Sequence, residues 1–380
     1  MRIGTLAAAF LLTIGIASAQ RHKIDIDGAT PEGKALQQIE DESDDAKKLA
    51  LLEQFAAQYP THAGAASVYE QLVGIYAKAN QTDKLLDTGG KLLALDPADV
   101  EDAHPCLKAA LEVKRDPDLV LKWAVIASDA ARKVAQSPKP ADADEVGDWT
   151  KRVDFAKQVD IYTEYAIYAM VLQTPDPKQK ILLGEALEQR NPQSQYLPQV
   201  AEQLFNAYAR TGDNAKALAL AEQTLEKDQS NAEMLLIVAD NYRSKKQDDK
   251  VADLTGKALQ LAASKPKPEG VSDADWATWR TQIAGRANYV MGITYAALDK
   301  WAPTDRALRA ALPDLNASPE MKAETLFYLG LANYNLAEAG DTQRARDALH
   351  FSDQCAAFSG PYQARARANA KAIRGRYHVQ

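Results

Sequence analysis

Cysteine is nearly absent from this 380-residue chain, Cys106 and Cys355 being the only two. A disulfide framework is thereby excluded as the source of stability. The pair sits near opposite ends of the sequence, and a bridge needs Cα atoms within about 7 Å. Both are expected as buried free thiols in helices. Histidine is also scarce: the five (His22, His62, His104, His350 and His378) are scattered. None belongs to H-E-x-x-H or to a His/Cys pair at metal spacing, and G-x-S-x-G is missing. No metal, no cofactor and no catalytic residue is therefore expected. Strand-like alternation of apolar and polar residues is missing too, so the chain reads as all-α. Positive charge is in deficit, 45 basic against 52 acidic residues for a net −7. Phosphate binding needs a positive surface, so nucleic acid is excluded as the main partner.

One motif only imitates chemistry. Gly28 to Ala35 nearly matches the phosphate-binding loop G-x4-G-K-[ST]. Ala35 stands where a hydroxyl must hold magnesium, and Glu32 places negative charge where phosphate would lie. Nucleotide binding is not expected.

A long apolar run occurs only at the N-terminus. Arg2 supplies a short positive region, Leu6 to Ile16 an apolar stretch, and Ala17-Ser18-Ala19 an A-x-A cleavage signal. Residues 1–19 read as a signal peptide, with a mature chain beginning at Gln20. No Cys follows the cleavage point, so no lipid anchor can form there. No later segment approaches the roughly 20 apolar residues of a membrane span. The mature chain is expected to be exported, periplasmic in a double-membraned bacterium and otherwise extracellular. Removing Arg2 leaves 44 basic residues against 52 acidic ones.

What is present is repetition. Leu204, Tyr208 and Ala217 are each followed 34 residues later by Val238, Tyr242 and Val251. Leu204 to Leu225 reads as two short amphipathic helices joined by a turn at Gly212-Asp213. The Leu-x3-Tyr step recurs as Leu72/Tyr76, Val238/Tyr242 and Met291/Tyr295, with Leu329/Asn333 as a weaker copy. Gly292 and Gly330 follow Met291 and Leu329, where a small residue lets the helices of a hairpin close up. Asp96-Pro97 should stop the helix carrying Leu85, Leu92 and Leu95. A period in this range marks a helical solenoid.

These residues resemble the tetratricopeptide repeat (TPR) family. Leu204, Tyr208, Gly212, Ala217 and Ala221 fit its pattern best; Leu72, Tyr76 and Pro97 fit an earlier copy, and Met291, Gly292, Tyr295 and Leu308 a later one. The signature positions thin out at 100–135 and 160–192. The resemblance implies a right-handed superhelix of helical hairpins over residues 46–358, whose first helices line a concave surface that holds a peptide or folded protein. By register, Asn206, Arg210, Asp240 and Arg243 are the candidate groove residues. Residues 20–45 read as a polar linker, and 359–380 as a basic C-terminal capping helix and tail.

A second repeat overlies the first. Ser137 and Ser264 each open a Pro/Lys-rich segment ending in Asp-Trp, at Trp149 and Trp276, and Tyr162 and Tyr168 match Tyr289 and Tyr295. All four pairs lie 127 residues apart. This pattern implies duplication of a multi-helix block, with insertions at 137–149 and 264–276. Each Trp either clamps its loop or offers a contact. The functional expectation is a non-catalytic, exported protein–protein interaction scaffold or adaptor. The alternative is an accessory subunit of an envelope or secreted enzyme complex.

Overall fold

The computed structural model describes residues 22, 26–316, 318–337 and 341–379. The expected signal peptide at 1–19 lies outside them. The chain forms two compact units that meet in sequence at Gly212-Asp213. Gly212 ends its helix at φ 80°, a left-handed conformation that favours glycine, and Asp213 caps the next helix. The unit boundary thus coincides with the turn of the best-preserved repeat.

The N-terminal unit holds α1 (Pro31–Asp41), α2 (Asp45–Gln58), α3 (Ala65–Lys78), α4 (Thr82–Leu95) and α5 (Val100–Ala109). It continues through α6 (Pro117–Ala135), α7 (Ala143–Gln173), α8 (Pro177–Arg190) and α9 (Leu197–Thr211). The C-terminal unit holds α10 (Asn214–Leu225), α11 (Ala232–Ser244), α12 (Asp248–Ser264) and α13 (Asp273–Ala297). After these come α14 (Trp301–Ala311), α15 (Pro319–Leu336), α16 (Thr342–Ala356) and α17 (Gln363–Tyr377). No strand occurs among the described residues.

Helix starts are set by local chemistry. Asp44, Asp99, Asp116, Asp142, Asp176, Asp213, Asn231 and Asp341 each accept a backbone N–H of the first turn through the side chain. Such a cap stabilises a helix by about 1 kcal/mol. Thr30 does the same for α1, accepting from the Gly33 N–H at 3.0 Å, with Pro31 in the first turn. The phosphate-loop imitation is therefore a capped helix start. The expected linker is corrected at the same point: α1 occupies 31–41 because this cap is followed by Leu36 and Ile39, which are buried. As expected, α4 stops at Leu95, just before Asp96-Pro97.

Within each unit, every helix packs on the one before and the one after it. Alternate helices also touch in series, α3, α5, α7 and α9 in the N-terminal unit and α11, α13, α15 and α17 in the C-terminal unit. The chain is an all-α helical repeat solenoid. Its core is a strip of apolar side chains between successive helices, including Leu52, Phe55, Leu92, Leu107 and Trp123 in the N-terminal unit. Met234, Leu235 and Leu236 serve the same purpose in the C-terminal unit. Each such residue contributes about 1.5–3 kcal/mol of burial. Cys106 and Cys355 are free and buried, one in each unit. Burial raises both thiols, Cys355 to about 11.

The signature positions are packing positions. Leu72, Tyr76, Leu204, Tyr208, Val238 and Leu329 are buried. Tyr76 donates from its hydroxyl to Glu53 on α2 at 2.7 Å, and Tyr208 donates to Glu185 on α8 at 3.1 Å. Lys84 lies over the Tyr76 ring at 5.1 Å, and Lys250 over Tyr242 at 4.5 Å. Asn333 replaces the tyrosine in the weak copy. Fully buried, it donates to Asp305 at 2.7 Å and accepts from Arg344 at 2.7 Å. The weak repeat at 100–135 has a physical cause. Pro105 interrupts the hydrogen bonding of α5, and a π-helical turn at Ala110–Lys114 follows it.

The two insertions are shorter than their sequence suggests. Only 136–142 and 265–272 are non-helical. Asp142 and Ser272 cap α7 and α13 ahead of the tryptophans, so Trp149 and Trp276 belong to helices. These extra turns lengthen α7 to 31 residues and α13 to 25.

Close approach of helices depends on small side chains. A Cβ on Gly292 would sit 2.3 Å from Leu308 Cδ2 of α14, and one on Gly330 would sit 2.7 Å from Ser352 Oγ of α16. A Cβ on Gly256 in α12 would meet nothing within 4 Å. Gly292→Val should therefore destabilise the C-terminal unit by about 1–3 kcal/mol through overpacking. Gly256→Ala should stabilise it by about 0.5–1 kcal/mol through helix propensity. Urea unfolding followed by circular dichroism reads both signs.

Candidate interaction surfaces

In the N-terminal unit, the α5–α7–α9 layer carries a row of rings. His104 on α5 lies 5.2 Å from Tyr162 on α7, and Tyr162 lies 5.8 Å from Tyr165. Tyr165 is 6.2 Å from Tyr196, which precedes α9, and Tyr196 stacks on Tyr168 at 4.9 Å. Tyr162, Tyr165 and Tyr168 recur at three-residue spacing and so share one side of α7. Tyr165 is 42% exposed. Burial and Glu112 push the Tyr162 phenol up to about 12. Burial and the Lys108 ammonium hold His104 down at about 4. At neutral pH His104 and Tyr162 are therefore uncharged. Neither is poised for proton transfer near pH 7.

Beside this row lies an acidic group. Asp96 and Asp99 flank the start of α5, Glu101 and Asp102 stand in its first turn, and Glu70 projects from α3. Burial, then Asp99, Glu70 and Glu101, raise the Asp102 carboxyl above the ordinary range. The His22 ring enters the group, with Nδ1 3.1 Å from Glu70 Oε2 and Nε2 3.0 Å from Asp96 Oδ2. No sequence motif announces this cluster, because His22 and Asp96 are 74 residues apart.

In the C-terminal unit, Glu324 on α15 accepts hydrogen bonds from Tyr289 on α13 and, at 2.6 Å, from Tyr362 before α17. Burial and the Glu324 carboxylate raise both phenols. These three groups, with Met321, Phe358 and Pro361, line a cavity of about 180 Å³. Arg365 lies 4.4 Å over the Phe327 ring nearby. Along α17, Arg374 pairs with Asp353 at 2.7 Å, and Arg376 lies over the rings of Tyr334 and Tyr377. Part of the basic C-terminal charge is thus spent on the neighbouring helices α15 and α16.

The residues expected from register fall in both units. Asn206 and Arg210 are exposed on α9 in the N-terminal unit. Asp240 and Arg243 are on α11 in the C-terminal unit, paired with each other at 2.8 Å. Trp149 donates from Nε1 to Ser137 Oγ at 3.0 Å, tying α7 to the loop before it. Trp276 instead stacks on Trp279 at 4.3 Å, and Trp279 donates to Glu233 of α11. Arg152 holds the place in α7 that Trp279 holds in α13, 127 residues on. It pairs with Glu101 of α5 at 2.9 Å. Glu101 and Glu233 are each the second residue of their helix. Both duplicated helices are thus anchored to the start of the preceding helix in their layer, by an ion pair in one case and an indole in the other.

No family model matches the chain. No curated protein matches it. Among solved structures it is similar to the crystal structure of the P58(IPK) TPR domain, with 12% identity, 91% of this chain and 98% of that chain covered, and a TM-score of 0.29. A superposition at that score adds nothing to the fold assignment, which rests on the helix order and packing.

The buried imidazole gives a test of the ring row. A folded-state value of about 4 against 6.5 for the free side chain means that the unfolded chain binds the extra proton first. His104 therefore contributes stability that is present above pH 6.5 and lost as the pH falls towards 4, on the order of 3 kcal/mol in full. Asp102, with its raised value, acts with the opposite sign. The difference between wild type and His104→Phe cancels the Asp102 contribution. Urea titrations should show that difference shifting against the wild type between pH 6.5 and pH 4 and staying constant above.

Proposed function

We propose that the chain is an exported protein-interaction scaffold or adaptor, built from TPR-like hairpins and without chemistry of its own. The observation that carries this reading is the row His104, Tyr162, Tyr165, Tyr196 and Tyr168 across one helix layer, part-buried with Tyr165 exposed. Rigid aromatic rings supply contact area with little entropy to lose, which is what protein interfaces use at their centres. The A-x-A signal after the first apolar stretch supports export, to the periplasm in a double-membraned bacterium. No helix among the described residues is long and apolar enough to cross a membrane.

Crosslinking and affinity purification of the full chain from the exported fraction tests the reading. Specific protein partners are expected. Tyr165→Ala should weaken their binding roughly tenfold, since a central aromatic anchor is worth about 1–2 kcal/mol. A second set, Asn206→Ala with Arg210→Ala and Asp240→Ala with Arg243→Ala, and a third, Trp149→Ala and Trp276→Ala, ask whether partners also contact those positions. Partners indifferent to all these changes would sink the proposal, as would turnover by the purified protein alone. N-terminal sequencing of that fraction should begin at Gln20.

A further inference from the structure

We propose that His22, Asp96 and Asp99 form a binding site for a divalent transition-metal ion of the zinc class, with Glu70 as the outer partner of the imidazole. The ligand atoms of the three residues all lie within 4.8 Å of one another. His22 Nε2 is 3.0 Å from Asp96 Oδ2, and Nδ1 is 4.0 Å from Asp99 Oδ2. Each aspartate is oriented by its other oxygen. Asp96 Oδ1 accepts the Ala98 N–H at 3.0 Å, and Asp99 Oδ1 accepts the Asp102 N–H at 3.1 Å as the cap of α5. Oδ2 of each is thereby turned towards the ring.

The donor set selects the ion. Calcium and magnesium prefer all-oxygen shells, whereas one imidazole nitrogen with two carboxylate oxygens suits zinc or a neighbouring first-row ion. Bonds of about 2.0–2.2 Å in a tetrahedral site put neighbouring ligand atoms about 3.4 Å apart. With Nε2 as the ligand, its 3.0 Å separation from Asp96 Oδ2 is already close to that value, and side-chain rotation within the 4.8 Å spread of the three ligand atoms brings Asp99 Oδ2 into the shell. A metal-bound histidine ordinarily donates its second ring N–H to a carboxylate, which fixes the tautomer. Here Glu70 Oε2 lies 3.1 Å from Nδ1, where that acceptor belongs. The fourth position would take water. Such an ion would fasten the segment carrying His22 to α3 and to the turn between α4 and α5, joining residues 74 apart in sequence.

The competing arrangement is a protonated imidazole held between Glu70 and Asp96 with no metal. Isothermal titration of zinc into untagged, chelator-treated full chain at pH 7.5, with thermal denaturation in parallel, separates the two. One equivalent of zinc is expected to bind and raise the unfolding midpoint, and excess magnesium should not displace it. His22→Ala should abolish binding without touching any helix. Asp99→Asn should weaken it at least tenfold while keeping an acceptor for the α5 cap. Glu70→Gln should weaken it 10–100-fold, as loss of an outer carboxylate does. Absence of zinc binding would overturn the proposal, and so would binding that these variants leave unchanged. Stabilisation that depends on His22 and on acid pH but not on zinc would assign the cluster to the imidazolium instead.

Discussion

No helix in this chain can hide its apolar stripe without a neighbour on either side. An isolated helix of 10–15 residues is marginal in water, and most of its stability comes from packing one face. Within each unit, successive helices cover one another. The apolar material therefore becomes a strip running between successive helices instead of a central core. That constraint accounts for the residue choices at the contacts. Gly292 and Gly330 stand where Leu308 and Ser352 press in, and Ala217, Ala221, Ala345 and Ala348 are fully or almost fully buried. It also explains why a layer of alternate helices can present tyrosines and carboxylates outward. Burial is satisfied along the strip, so that outer face carries little of the load of folding.

The duplicated helices α7 and α13 answer to the same constraint. At 31 and 25 residues they overrun the helices they pack on, and their added N-terminal turns need separate fixing. Arg152 and Trp279 supply it from equivalent positions, each reaching the glutamate at the second position of the preceding helix in its layer. The ion pair and the indole contact do equivalent jobs with different chemistry. The equivalent positions reach the same kind of group with different side chains. Trp149 and Trp276, which align in sequence, have diverged in use: one binds its own loop and the other stacks on Trp279.

The periodic part of the fold was legible in the sequence because packing enforces it. Leu72, Tyr76, Leu204 and Tyr208 repeat since each must fill the same gap, and Gly292 and Gly330 since each must leave one. Where packing is met in another way, the signature fades. Pro105 and the π turn after it disturb the weak stretch near α5, and Asn333 replaces an aromatic ring with a buried polar network. Helix α1 was missed because its apolar residues are few, and its start depends on a single threonine cap. The surfaces are a different matter. Register names positions along one helix, and Asp240 and Arg243 pair there with each other. It cannot find the meeting of His104 with Tyr162 or of His22 with Asp96, because those contacts depend on how helices stack.

Charge and protonation divide the surface of the N-terminal unit into two regions with different capacities. On the ring row, burial keeps His104 neutral and the Tyr162 phenol protonated, so contact there would draw on desolvation and stacking and would be little affected by salt. In the neighbouring cluster, carboxylates are brought close enough that Asp102 is pushed towards its protonated form. The N-terminal unit thus carries a row of aromatic rings and, on α3 and at the start of α5, a cluster of carboxylates. A partner spanning both would have to offer apolar or aromatic area to the first and positive charge to the second. That pairing is more selective than either region alone, because a ligand lacking one of the two features would leave rings exposed or carboxylates desolvated without compensation.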